Sequence, residues 1–90
     1  MPYIKPEARE LFDNFVDLDG ISQATVGELN YLITRILMST NPKGYADYNS
    51  LIGVLECAKL ELYRRAASVY EDKKILENKD IPEYAERNKK

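Results

Sequence analysis

This sequence of 90 residues contains no histidine and no tryptophan, and Cys57 is its only cysteine. The absence of histidine removes the commonest general base and the usual transition-metal ligand. A single cysteine allows no disulfide within the chain, which favours a reducing compartment. Cys57 lies beside Val54 and Leu60, so we interpret it as a small buried apolar residue. We expect no metal, no cofactor and no nucleophilic catalysis.

Long apolar runs are also missing. No stretch approaches the roughly 18 apolar residues that cross a bilayer, and the first six residues do not resemble a signal peptide. The net charge of −2 argues against bulk nucleic-acid binding. Residues 1–30 carry two basic and six acidic side chains, whereas residues 31–70 carry five and three. We expect a cytoplasmic protein that binds an anion, if any, through its middle segment.

Apolar residues recur at helical spacing, which predicts a chain made of helices. A first helix is expected from Pro6 until Asp19-Gly20 ends it. Thr25 and Glu28 fit a capping box at the start of a second helix. The residues at 41–44, Asn-Pro-Lys-Gly, form a strong break after that helix. Each helix is expected to bury its apolar face.

A third helix is predicted from residue 46 to residue 78, where Gly53 is the only glycine and proline is absent. It would be nearly 50 Å long, whereas the shorter helices reach only about 20–25 Å. Its apolar positions therefore extend beyond their reach and need further copies of the chain. Gly53 costs about 1 kcal/mol relative to alanine, and we expect another helix to approach closely there.

These features predict an all-α fold of two short helices and one long C-terminal helix, a helical bundle completed by homo-oligomerisation. Residues 1–80 form a single helical domain in this interpretation. Residues 81–90 form a polar C-terminal tail, in which Pro82 is placed to begin a short helical turn.

Lys59 is unusual because it falls within the apolar arc of the third helix, between Leu55 and Leu62. A buried ammonium must find a partner or shift its pKa. One solution is an ion pair with a carboxylate such as Glu28 or Glu10. The other is a pocket between subunits in which Lys59 meets a bound anion.

Aromatic and basic side chains could complete such a pocket. Tyrosine offers a ring for stacking a base and a hydroxyl for a phosphate, and arginine binds phosphate oxygens in pairs. Plain packing and solvated surface are the alternatives. The candidate ligand-binding residues are Lys59, Tyr63, Arg64, Arg65, Tyr70, Arg35 and Tyr31.

Three stretches of the sequence carry a resemblance, namely Gly27–Thr34, Ile52–Arg65 and Tyr70–Lys74. Together with the Met1-Pro2-Tyr3-Ile4 start, they resemble a family of small uncharacterised proteins found in tailed-phage and bacterial genomes. Members of that family more often continue with Glu-Asn-Gly-Asp, where this chain has Lys79 in place of glycine. Lysine adopts a positive φ less readily than glycine, which puts the end of the helix in question.

Three functions remain open at this point. The first is a non-enzymatic homo-oligomer that binds a small anionic nucleotide and, by the phage resemblance, sequesters a signalling nucleotide of bacterial defence. The second is an interaction module that inhibits or adapts a host or phage protein. The third is a magnesium-dependent, all-α nucleotide pyrophosphatase with carboxylates from adjacent subunits. The first is preferred, with the chain itself as partner.

Overall fold

The computed structural model describes residues 2–88 of the chain. Within that range the regular elements are all helices, which confirms the all-α prediction. Two compact units divide the chain, one up to Leu55 and one from Glu56 onward.

The N-terminal unit begins with two short helices, α1 (Pro6–Asp13) and α2 (Leu18–Ile21). The prediction of one helix that continues to Asp19-Gly20 is wrong. The side chain of Asp17 accepts a hydrogen bond from the Gly20 N–H at 2.9 Å. This bond satisfies one of the unpaired N–H groups of a new helix start. Both Asp19 and Gly20 therefore lie inside α2.

Helix α3 (Val26–Met38) begins with the capping box that the sequence predicts. The Glu28 N–H donates to the Thr25 hydroxyl at 3.1 Å, and the Thr25 N–H donates to the Glu28 carboxylate at 2.8 Å. The hydrogen bond from the Thr25 backbone, followed by that of its side chain, lowers the pKa of the Glu28 carboxyl. The start of α3 is therefore fixed by local contacts.

The break between α3 and the next helix is confirmed as well. Asn41 follows α3 with φ 59°, a conformation that asparagine adopts more readily than most residues. Helix α4 (Tyr45–Leu62) then begins. Just before it, the N–H of Lys43 donates to the Asp47 carboxylate at 2.9 Å.

Residues 45–78 are helical in sequence, but they do not form one uninterrupted α-helix. A π-helical segment (Tyr63–Ala67) follows α4, and α5 (Ser68–Asn78) follows that segment. In a π-turn the hydrogen bonds span five residues instead of four. One extra residue turns the following side chains by about 100° around the axis. The sequence-based prediction of which side chains share a helix face assumed a regular α-helix. After Leu62, the side chains are therefore rotated by about this angle from their predicted positions.

The C-terminal end has an unusual backbone. Lys79 ends α5 with φ 71° and ψ 152°, so lysine adopts here the positive φ that glycine adopts more readily. The Asp80 side chain accepts a hydrogen bond from the Ile81 N–H at 2.8 Å. Helix α6 (Pro82–Asn88) then begins at the predicted proline.

None of the described residues is buried. The predicted apolar faces are present on the helices, but in the single chain they are half-buried or exposed. Cys57 is exposed too, so its interpretation as a buried residue is wrong for the chain by itself. No helix among residues 2–88 combines the length and the apolar character needed to cross a bilayer.

Candidate functional site

The π-helical segment of the C-terminal unit carries three of the candidate residues, Tyr63, Arg64 and Arg65. Its ring closes where the N–H of Ser68 donates to the carbonyl of Tyr63, five residues earlier. Such segments are rare and occur frequently at functional sites. We therefore begin the description of the site here.

Tyr63, at the start of the segment, makes a side-chain hydrogen bond to a residue of α5. Its hydroxyl donates to the Glu71 carboxylate at 2.8 Å, eight residues ahead. In a regular α-helix these positions lie about 80° apart around the axis, but one extra residue reduces the offset to about 20°. The π-segment therefore allows this contact. The hydrogen bond to Glu71 raises the pKa of Tyr63, and the charge of that carboxylate adds to the effect.

The two arginines of the segment differ in their surroundings. Arg64 pairs with Glu61, and its Nη2 lies 3.1 Å from Oε2 of that carboxylate. The Glu61 side chain is only 17% exposed. Arg65 makes no hydrogen bond or ion pair with any residue from 2 to 88. Of the two guanidiniums, Arg65 is the one left open to an anion.

Lys59 lies one turn before the segment, on α4. Its ammonium is 3.2 Å from a Glu56 carboxylate oxygen, and its side chain is 70% exposed. The structure thus gives Lys59 an ion pair with Glu56, three residues earlier on the same helix. The expected burial is not present in the single chain. An exposed pair at this spacing contributes about 0.5 kcal/mol or less, so an anion could displace it.

Tyr70 lies on α5 and makes a cation–π contact. The ammonium of Lys74 is 5.5 Å from its ring centroid, and the same ammonium is 3.1 Å from a Glu77 carboxylate oxygen. One face of the Tyr70 ring thus has a cation beside it. This contact is typical of a solvated helix surface.

Tyr31 and Arg35 form a second tyrosine–arginine pair, on α3 of the N-terminal unit. The Arg35 guanidinium donates to the Tyr31 hydroxyl at 2.8 Å. Its central carbon lies 5.8 Å from the centroid of the same ring. The sequence named both residues, but it did not predict their contact, although four-residue spacing on a helix indicates one.

The candidate residues thus fall into two groups, five in the C-terminal unit and two in the N-terminal unit. Sequence reasoning missed Glu71, which holds the Tyr63 hydroxyl, because no spacing in the sequence reveals a π-segment. It also missed that Glu56 and Glu61 neutralise two of the cations. Their position three residues before each cation was a usable signal.

No metal-binding group of three or more cysteine, aspartate or glutamate residues is gathered within residues 2–88. Glu56 pairs with Lys59, and Glu61 pairs with Arg64. These pairs give the carboxylates a structural role in the surface of the helix.

Among the open grooves of the N-terminal unit, two that are mostly apolar include residues from different faces of α3. The first has a volume of about 360 Å³ and includes one acidic residue. The second, which we call the α3–α4 groove, has a volume of about 270 Å³. Residues lining the first are Phe15, Val16, Asp17, Gly20, Ile21, Leu32 and Ile36. Residues lining the α3–α4 groove are Thr34, Leu37, Met38, Tyr48, Leu51, Ile52 and Leu55.

Comparison with known proteins gives a family. No curated protein and no solved structure matches this chain. A family model described as a domain of unknown function, DUF6899, matches residues 1–81. That match extends from the N-terminus through α5 and the Lys79 turn. The chain therefore belongs to the DUF6899 family.

Proposed function

We propose that this protein is a non-enzymatic interaction module that acts by associating with copies of itself through its helices. The observation that carries the proposal is the lack of any buried residue among residues 2–88. Burial of apolar surface is the dominant favourable term in folding and association. Helices whose apolar faces are all partly exposed gain most from a partner that covers those faces.

The test is the mass of the particle in solution. Sedimentation equilibrium or light scattering over a range of protein concentration should give a multiple of 10.4 kDa, the mass of one chain. Helical content measured by circular dichroism should rise with concentration, since covered helices are more stable. A mass that stays at one chain throughout would contradict the proposal. In that event, a stoichiometric complex with a different protein would favour a module for foreign partners.

A second candidate function is the binding of a small anionic ligand of the nucleotide class at the π-segment. Arg65 supports it, since its guanidinium has no partner within residues 2–88. Exposed rings of Tyr63 and Tyr70 could stack a base. Tyr31 and Arg35 of a further copy could add to the site. If the chain is encoded by a phage, as the resemblance implies, such binding would sequester a signalling nucleotide.

Calorimetry against cyclic and ADP-ribose-derived nucleotides tests this second function. Arg65→Ala should weaken binding by tenfold or more, because hydrogen bonds to charged groups contribute about 1.5–3 kcal/mol. Arg87→Ala, on α6, is the matched control and should bind like the unaltered chain. Ligand recovered intact after heating would indicate capture and not hydrolysis. The ligand hypothesis fails if no nucleotide binds or if both variants bind equally well.

A further inference from the structure

A further groove of the N-terminal unit adjoins the one that Asp17 lines. It has a volume of about 430 Å³, and the two grooves share Gly20 of α2 and Leu32 of α3. We call the two grooves together the α2–α3 surface. The further groove adds Gln23, Ala24, Glu28 and Tyr31 to the lining.

Apolar side chains of this surface remain partly or largely in contact with solvent. Ile21 and Leu32 are half-buried, whereas Phe15 and Ile36 are 71% and 61% exposed. Burial of such side chains against an apolar partner is favourable. The α2–α3 surface can therefore gain affinity from apolar contact.

Two carboxylates lie among these apolar residues, those of Asp17 and Glu28. Oδ1 of Asp17 accepts a hydrogen bond from the Gly20 N–H at 2.9 Å, and Oε1 of Glu28 accepts one from the Thr25 N–H at 2.8 Å. The second oxygen of each carboxylate accepts no hydrogen bond from residues 2–88, and neither carboxylate forms an ion pair with them. Each therefore has an oxygen available to a cation from outside the chain.

No lysine or arginine lines either groove of this surface. Arg35 donates to the Tyr31 hydroxyl, but it is not itself a lining residue. The α3–α4 groove, in contrast, has no charged lining residue of either sign. The α2–α3 surface thus discriminates between partners by charge, because an acidic partner is repelled and a basic one can pair with the two carboxylates.

We propose that the α2–α3 surface binds a basic amphipathic helix of a partner protein. In this mode, apolar side chains of the partner helix cover the grooves, and lysine or arginine side chains beside them contact Asp17 and Glu28. Apolar contact supplies most of the affinity, while the exposed carboxylates select the sign of the partner's charge. This inference goes beyond the self-association proposed above and does not depend on it.

Fluorescence anisotropy with the full chain and three synthetic helical peptides tests the proposal. The first peptide has leucines on one face and lysines elsewhere. The second has glutamate in place of each lysine, and the third has alanine in place of each leucine. We expect the first peptide to bind at least about tenfold more tightly than the other two. Its advantage over the glutamate peptide should shrink at high salt, because exposed charges are screened.

The double variant Asp17→Asn, Glu28→Gln removes both charges but keeps the local structure. Asparagine is as good a helix cap as aspartate, and glutamine can replace glutamate in a capping box, which circular dichroism can check. Binding of the first peptide at low salt should weaken by about three- to tenfold, since exposed ion pairs contribute modestly. Asp13→Asn, at the end of α1, is the matched control. Asp13 lines neither groove, so this variant should bind like the unaltered chain.

Ile36→Ala tests the apolar part of the contact. It removes apolar surface but puts a better helix former into α3, so the helix should be kept. Binding of the first peptide should weaken by about fivefold or more, to the same extent at low and high salt.

Each outcome decides for or against the partner helix. Tight binding of the first peptide that weakens in the double variant, but not in Asp13→Asn, supports it. Equal binding of the lysine and glutamate peptides overturns it, as do equal effects of the double variant and Asp13→Asn. If no peptide binds and the chain sediments as a multimer, the partner helix is overturned while self-association stands. Selective peptide binding by a chain with the mass of one copy would support the partner helix and contradict self-association.

Discussion

Lys79, at the end of α5, has a backbone conformation that residues with a Cβ rarely adopt. Its φ of 71° and ψ of 152° belong to a region populated almost only by glycine, where other residues store about 1–3 kcal/mol. Glycine would remove that strain, but its greater freedom in the unfolded chain costs about 0.5–1 kcal/mol. We therefore expect Lys79→Gly to raise the free energy of unfolding by about 1 kcal/mol.

Thermal unfolding followed by circular dichroism measures this change. For a chain of this size, 1 kcal/mol shifts the midpoint by about 4–8 °C. Lys79→Ala removes the same side chain but keeps a Cβ, so its midpoint should stay near that of the unaltered chain. Asn41→Gly changes a second non-glycine residue that has a positive φ among residues 2–88, at 59°. Asparagine tolerates that conformation, so the gain should be small.

Two results would refute the reasoning. A midpoint for Lys79→Gly that is unchanged or lower would show that residue 79 stores no strain. An equal rise in Lys79→Gly and Lys79→Ala would trace the effect to the lysine side chain and not to the backbone.

Four further predictions use other local features. Gly53→Ala should stabilise the single chain by about 1 kcal/mol, because alanine forms helix more readily than glycine and the added Cβ meets no atom within 4 Å. Weaker association of this variant would instead show that a helix from another copy lies close to Gly53. Thr25→Ala should lower thermal stability by about 1 kcal/mol through loss of the helix cap. The lowered pKa of Glu28 stabilises α3 above the ordinary glutamate pKa, so helicity should decline as pH falls through the lowered value, and Glu28→Gln should abolish this dependence. The raised pKa of Tyr63 makes its bond to Glu71 stabilising below the ordinary tyrosine pKa and lost as pH rises through the raised value; in ultraviolet titration, Glu71→Gln should make one tyrosine ionise at lower pH.

Much of the helical layout follows from local patterns in the sequence. The capping box at Thr25, the break at 41–44 and the start at Pro82 all depend on neighbouring residues, so each was predictable. The separation of α2 from α1 was not predicted, because the apolar spacing continues past Asp13 without a clear stop. Asp17 supplied the missing signal, since aspartate is a favoured cap at the start of a helix.

The candidate site was predicted less well, since its geometry depends on the π-segment. Helical angles measured at 3.6 residues per turn cannot anticipate the extra residue that brings Glu71 to Tyr63. Lys59 illustrates a different limit. Periodicity placed it in an apolar arc, but burial depends on what covers that arc, and in the single chain the side chain is exposed beside Glu56.

The contacts of the single chain rank the two proposed functions. Three cations of the C-terminal unit, Lys59, Arg64 and Lys74, already have a carboxylate three residues away. Exposed ion pairs of this kind contribute about 0–1 kcal/mol each. Replacing the carboxylate by an anionic ligand would therefore add little binding free energy at each of these cations. Covering an apolar side chain gains about 1.5–3 kcal/mol when its burial is complete. Arg65, which has no partner within residues 2–88, offers a comparable gain of about 1.5–3 kcal/mol, but it is one side chain, whereas large apolar side chains are exposed along all the described helices. Association through helix faces therefore ranks above anion binding. A protein that has the mass of one chain at every concentration, yet binds a nucleotide tightly, would reverse that order.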